Sequence, residues 1–310
     1  VTDYGTLIDA ETWAFIERTN SFYPPETTSF TIHEQRAVYD RLCRAFFAGY
    51  PAGVTAETTA IRTPAHAVPI RIYRSATPDP AAVVLYCHGG GFILGGLDSH
   101  DDLCAELCDR TGYELVSVDY RLAPEHLHPA PLDDAIAVLE WATSNYGRPV
   151  VVVGDASGGT LAAGLSHVTR GSHNVPVGQV LVYPGLGGDV TRSSYVRHAN
   201  APMLALRDVL YYYDIRGGRP EDPTRLPLLD TDFSRLPPTV IVTAECDPLS
   251  SDGESYRDRI RAAGGRAWWH EEPGLVHSYL RGRHMIRRAA ESFARIADAV
   301  VMLGKADWRF

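Results

Sequence analysis

Hydrolytic acyl transfer needs three things that a protein chain can supply: an activated nucleophile, an imidazole oriented by a carboxylate, and fixed N–H donors where negative charge develops. This chain holds residues suited to each part. His277 could shuttle the proton, and Asp247, thirty positions earlier, could fix its tautomer. Gly89, Gly90 and Gly91 follow His88, and glycines in a row permit positive φ and expose backbone N–H groups. The N–H groups of Gly90 and Gly91 are therefore candidates to hold an oxyanion. The nucleophile is where the pattern breaks. In Gly154-Asp155-Ala156-Ser157-Gly158-Gly159, two glycines stand two residues either side of Ala156, and the serine comes one place later, at Ser157.

That stretch organises the chain. Val150-Val151-Val152-Val153 reads as a buried strand, and Thr160-Leu161-Ala162-Ala163-Gly164-Leu165 as a helix, with almost no loop between them. Glycines flank the apex of so sharp a turn because side chains there would strike the neighbouring strand and helix. Strands are expected at residues 58–62, 68–74, 81–87, 114–120, 177–183, 239–244 and 266–270. Helices are expected near 99–111, 129–146, 205–213, 250–263 and 284–303, and residues 1–50 read as helices around a turn at Pro24-Pro25. Repeated strand–helix units imply a mostly parallel sheet covered on both faces, with ligands beyond the carboxyl ends of the strands. Gly89–Gly91, Ala156, Ser157, Asp247 and His277 all follow strands, so they should gather along one edge.

The remaining features set bounds. A chain of 310 residues can bury a large core, and 45% apolar with 22% charged residues is ordinary for a soluble globular protein. A net charge of −9 argues against nucleic-acid or anionic-membrane partners. No apolar run reaches the length of a membrane span and no signal pattern opens the chain, which starts at Val1 and leaves room for residues upstream. Five cysteines read as reduced thiols in the cytoplasm, and neither they nor the acidic cluster at 98–102 form a metal-ligand pattern. Ser99 and Asp102 read as a capping box instead. Arg281, Arg283, His284, Arg287 and Arg288 read as a solvated helix start and face. Trp268 and Trp269 read as core, and Tyr211, Tyr212 and Tyr213 as packing of a cap.

Taken together, His88-Gly89-Gly90-Gly91, the motif Asp119-Tyr120-Arg121-Leu122-Ala123-Pro124-Glu125, the turn at Ala156, Asp247-Pro248-Leu249 and His277 resemble the hormone-sensitive-lipase-like (bacterial family IV) carboxylesterases of the α/β-hydrolase superfamily. The motifs run in family order over roughly residues 60–305. The resemblance implies an α/β-hydrolase fold of class α/β, with a mostly parallel sheet and a helical cap. In that scheme residues 1–50 form N-terminal cap helices, and residues 51–310 a catalytic domain with a cap insertion at about 186–238. It also implies cofactor-free, metal-free hydrolysis of small, short-chain esters by a cytoplasmic enzyme, with a homodimer through the last strand or helix as one option. Arg121 and Glu125 would be structural.

The family's turn reads Gly-Asp-Ser-Ala-Gly-Gly, so here Ala156 takes the nucleophile seat with no residue inserted or lost. Three readings are open. Ala156 could replace a serine by design in order to trap an ester. The protein could have lost its nucleophile naturally and serve as a small-molecule binder. Or the turn could be re-registered so that Ser157 attacks; otherwise Ser157 supplies an oxyanion N–H.

Overall fold

The computed structural model describes residues 2–24 and 26–310, so Pro25 of the expected turn lies outside the described residues. Eight strands form one sheet in the order β1-β2-β4-β3-β5-β6-β7-β8. They are β1 (Thr55–Arg62), β2 (Ala67–Arg74), β3 (Val83–Cys87), β4 (Glu114–Val118), β5 (Val150–Asp155), β6 (Gly178–Val182), β7 (Thr239–Cys246) and β8 (Ala267–Val276). Only the β1–β2 and β2–β4 pairs are antiparallel; from β4 to β8 every pair is parallel. The helices are α1 (Tyr4–Leu7), α2 (Ala10–Phe22), α3 (Ile32–Phe46), α4 (Asp101–Thr111), α5 (Ala130–Tyr146), α6 (Ser157–Thr169), α7 (Ser193–Arg197), α8 (Leu206–Ile215), α9 (Ser250–Ala262) and α10 (Arg287–Gly304). None of the described helices is long and apolar enough to cross a membrane.

The central strands are mostly apolar because both faces are covered. In β3 and β5 every residue is buried. Alternate residues of β5 divide between two cores. Val151 and Val153 pack with α4 and α10, and Val150 and Val152 with α5 and α6. β1 differs, with seven of its eight positions exposed, as befits an outer strand of a hairpin.

Several expectations need correction. Ser99 does not cap α4. The N-cap is His100, without a side-chain bond, and the Ser99 hydroxyl donates to the Gly96 carbonyl instead. The acidic residues there serve longer-range partners: Asp101 accepts from the Tyr50 and Tyr73 hydroxyls, and Asp102 from Arg283. Trp268 and Trp269 are only half-buried, because β8 is an edge strand. β8 also runs on to Val276, past the expected end at 270, through an irregularity in its pairing with β7.

Candidate active site

β5 hands over to α6 through a single residue. Ala156 has φ 50° and ψ −120°, and Ser157 is already helical. A side chain rarely adopts that backbone conformation, which costs on the order of 1–3 kcal/mol and persists only where the surroundings over-determine it. They do so here. The Ala156 N–H donates to the Val182 carbonyl at 2.9 Å, and the turn is packed so closely that Gly154 and Gly158 leave no room for a Cβ. At Gly158 it would strike the Cys87 carbonyl, and at Gly154 the backbone of Gly158. The two glycines therefore bracket Ala156 for a steric reason.

Asp247 and His277 follow β7 and β8 directly, and the parallel pairing of those strands brings them together. Asp247 is fully buried; its Oδ2 lies 2.7 Å from His277 Nδ1, and its Oδ1 accepts the Leu249 N–H at 2.9 Å. A carboxylate fixed at both oxygens sets the imidazole tautomer, with the proton on Nδ1 and a lone pair on Nε2. His277 packs against the Tyr183 ring, 5.0 Å between centroids, and faces the same cavity as Ala156.

The glycine loop after β3 completes the group. Gly90 and Gly91 have φ of 126° and 63°, and their N–H groups find no acceptor among the described residues. The loop is anchored one residue earlier, where the Gly89 N–H donates to Asp155 Oδ1 at 3.0 Å. The Tyr86 hydroxyl donates to the same oxygen at 2.7 Å, and His100 Nε2 stands 3.3 Å from Oδ2. Burial works against the charge on Asp155, but His100 and the Tyr86 hydroxyl outweigh it and hold the carboxyl below the usual range. Asp155 thus ties the glycine loop to the turn, a role that its place in the sequence motif did not reveal. The available signal was an acidic residue at the end of an entirely buried strand.

A cavity of about 340 Å³ lies above these elements, lined by Gly90, Gly91, Ala156, Ser157 and His277. Its other walls come from α2 (Thr19), Tyr23 just after it, α3 (Tyr39) and residues between β6 and β7 (Met203, Tyr212, Arg216). Tyr212 packs so closely on Gly91 that a side chain there would collide with its ring. Ser157 reaches the cavity as a residue, yet its Oγ is buried without a hydrogen-bond partner among the described residues. The backbone strain sits at 156, not 157. Because Ser157 opens α6, its N–H points out of the helix end, where the dipole favours negative charge. The solvated reading of the basic cluster after His277 holds for His284, Arg287 and Arg288 but not for the two arginines nearest the site. Arg281 lines the cavity and donates to the Tyr39 hydroxyl at 2.8 Å, while buried Arg283 pairs with Asp102 and Glu106 at 2.9 and 2.7 Å.

Residues 84–281 match the family described as alpha/beta hydrolase fold. The chain is 39% identical to carboxylesterase NlhH of Mycobacterium tuberculosis, over 74% of this chain and 76% of that one. It is 32% identical to the ethyl acetate hydrolase of Pseudomonas putida, over 76% and 78% of the two chains. Among solved structures, a serine-to-alanine mutant of LAE6, an alpha/beta hydrolase enzyme from the metagenome of Lake Arreo in Spain, superposes with a TM-score of 0.85. Its identity is 28%, covering 97% of this chain and 99% of that one.

Proposed function

We propose a reaction from one premise: the chain belongs to the alpha/beta hydrolase fold family, among relatives named carboxylesterases and esterases. It is a carboxylic ester hydrolase of the hormone-sensitive-lipase-like type, acting on small, short-chain esters, with Ala156 in the seat of the nucleophile. Residues 1–50 and 186–238 act as its cap and the rest of 51–310 as its catalytic domain; residues of both cap segments line the cavity, which supports this division. Five free, buried cysteines support a cytoplasmic setting.

With serine at 156, its Oγ attacks the ester carbonyl carbon while His277 Nε2 takes the hydroxyl proton. Asp247 holds Nδ1–H and stabilises the imidazolium that forms. The tetrahedral oxyanion sits among the N–H groups of Gly90, Gly91 and Ser157. Collapse expels the alcohol, which leaves with the proton from His277, and water then cleaves the acyl-enzyme by the same route. With alanine at 156 no bond to the acyl carbon forms, and the site binds ester without covalent turnover.

The observation that carries this reading is the positive φ of Ala156, at the strand–helix turn, in the cavity that His277 faces. The test is Ala156→Ser, assayed with p-nitrophenyl acetate. Removing a triad member leaves only roughly 10³–10⁴-fold acceleration over water, so the serine should raise kcat by orders of magnitude. Alanine at 156 also favours a second reading, a small-molecule binding protein on this scaffold. No gain in the serine variant would select it. Full activity in the parent, abolished by Ser157→Ala, would instead make Ser157 the nucleophile.

A further inference from the structure

A deeply buried cation of the cavity has no carboxylate within ion-pair distance among the described residues. Arg216, which follows α8, is 4% exposed and lines the cavity. Its Nε and Nη1 are buried with no hydrogen-bond partner among the described residues. The guanidinium stacks 3.8 Å above the centre of the Phe92 ring, and Phe92 immediately follows the glycine loop. A cation over an aromatic face gains only about 0.5–2 kcal/mol, well short of the several kcal/mol that removing an unpaired charge from water costs.

No carboxylate lies within ion-pair distance of Arg216 among the described residues: Asp214, two residues before it, is exposed, and three others are bound elsewhere. Asp155 accepts from Gly89, Tyr86 and His100. Asp208 lines the cavity but accepts the Ala205 N–H at the start of α8. Asp222 is bound by the Thr224 hydroxyl and stands 3.5 Å from His128. Neighbouring Arg225 is spent on the carbonyls of Gly217 and Tyr213 and adds repulsion rather than relief. Burial, followed by Arg225, pushes the Arg216 guanidinium down to about 9, which leaves it charged at neutral pH. Arg281, which also lines the cavity, likewise has no carboxylate within ion-pair distance among the described residues and donates to the Tyr39 hydroxyl.

From this incompletely paired guanidinium, on a residue that lines the cavity beside the loop that receives the carbonyl oxygen, we infer that Arg216 receives an anionic group of the substrate. The substrate class is then a short ester bearing a second, ionised carboxylate, such as the half-ester of a dicarboxylic acid. This inference rests on the reading of the cavity as an ester site. A carboxylate suits the planar, forked guanidinium, which can offer it two parallel N–H bonds.

The parent chain, which keeps bound ester intact, permits a direct test by titration calorimetry with monomethyl succinate and methyl butyrate, equal in length and different in charge. The half-ester should bind at least about tenfold more tightly, the factor that one charge-assisted hydrogen bond contributes. In Arg216→Met the ratio should fall to about one, and Arg216→Lys should keep part of it. Equal or tighter binding of methyl butyrate by the parent overturns the inference, as does a ratio that survives Arg216→Met. The parent ratio and the lysine variant decide the matter if the methionine variant does not fold. Hydrolysis of both esters by Ala156→Ser with equal affinities sinks this inference and leaves the esterase reading standing. Preferential binding of the half-ester with no hydrolysis by Ala156→Ser sinks the esterase reading and leaves the anion site standing.

Discussion

At the scale of single residues, the site joins groups whose positions are held by partners outside the cavity. His277 is oriented by Asp247, which is itself fixed by Leu249. In the Ala156→Ser protein, His277→Ala should lower kcat by roughly 10⁶-fold, the loss of the base itself, and Asp247→Asn by roughly 10⁴-fold, the loss of the correct tautomer. Stopped-flow or steady-state assays read this directly, and an unchanged kcat in either variant removes that residue from the mechanism. Asp155 acts differently, through the loop that it anchors. Asp155→Ala leaves the Gly89 N–H and the Tyr86 hydroxyl without acceptors in a dry interior, at about 1–3 kcal/mol for each orphaned group. The urea midpoint should therefore drop with unchanged slope, and the serine-bearing enzyme should lose kcat as Gly90 and Gly91 come adrift.

At the scale of elements, His277 is positioned by the segment between it and α10 as well as by β8. Arg283 reaches back to α4, binding Asp102 and Glu106 with a side chain that is 3% exposed. Arg283→Met leaves Asp102 partly buried without its cation, while Glu106 keeps Arg110 at 2.9 Å, and removing one partner of a buried pair costs roughly 3–5 kcal/mol. Equilibrium unfolding in urea checks this, and a loss below about 1 kcal/mol would show the clasp to be incidental. The same clasp shows where sequence reasoning ends. Runs such as 150–153 and 239–244 are legible because parallel strands buried on both faces are near-continuously apolar or β-branched. The gathering of Gly90, Ala156, Asp247 and His277 is legible because each follows such a run. Arg281 and Arg283 are not, because arginine ordinarily faces water. Their partners Tyr39, Asp102 and Glu106 lie 242, 181 and 177 positions away, and only the folded chain brings them near. Pro273 and Gly274 similarly hide the second half of β8, since proline argues against a strand except at an edge or a bulge. β8 is an edge strand with irregular pairing there.

For the molecule as a whole, burying so many polar groups behind the sheet edge makes stability depend on pH in a definite direction. His88 is pushed from its ordinary value of 6.5 down to about 4 by burial and by neighbouring His100, and His128 to about 4 by burial and by Arg216. Each stays neutral in the fold but takes a proton when unfolded, so each contributes stability that is lost as pH falls from about 6.5 toward 4. A move of that size corresponds to about 3 kcal/mol for each ring. Asp252 works the other way. Burial lifts it from 3.8 to about 6, despite the N–H groups of Leu186, Gly187 and Gly188 that point at its Oδ2. It binds a proton in the fold before it does unfolded, so acidification through the same range returns about 3 kcal/mol. Of these three groups the two histidines outweigh the one carboxyl, a net loss of roughly 3 kcal/mol between pH 6.5 and pH 4, and His167 and His198, also lowered by burial, add to it. In Asp252→Asn the compensating carboxyl is gone, so the loss over this range should grow by about 3 kcal/mol. Urea midpoints measured at both pH values in the two proteins read the difference, and an equal acid loss in both would show that Asp252 is ionised throughout.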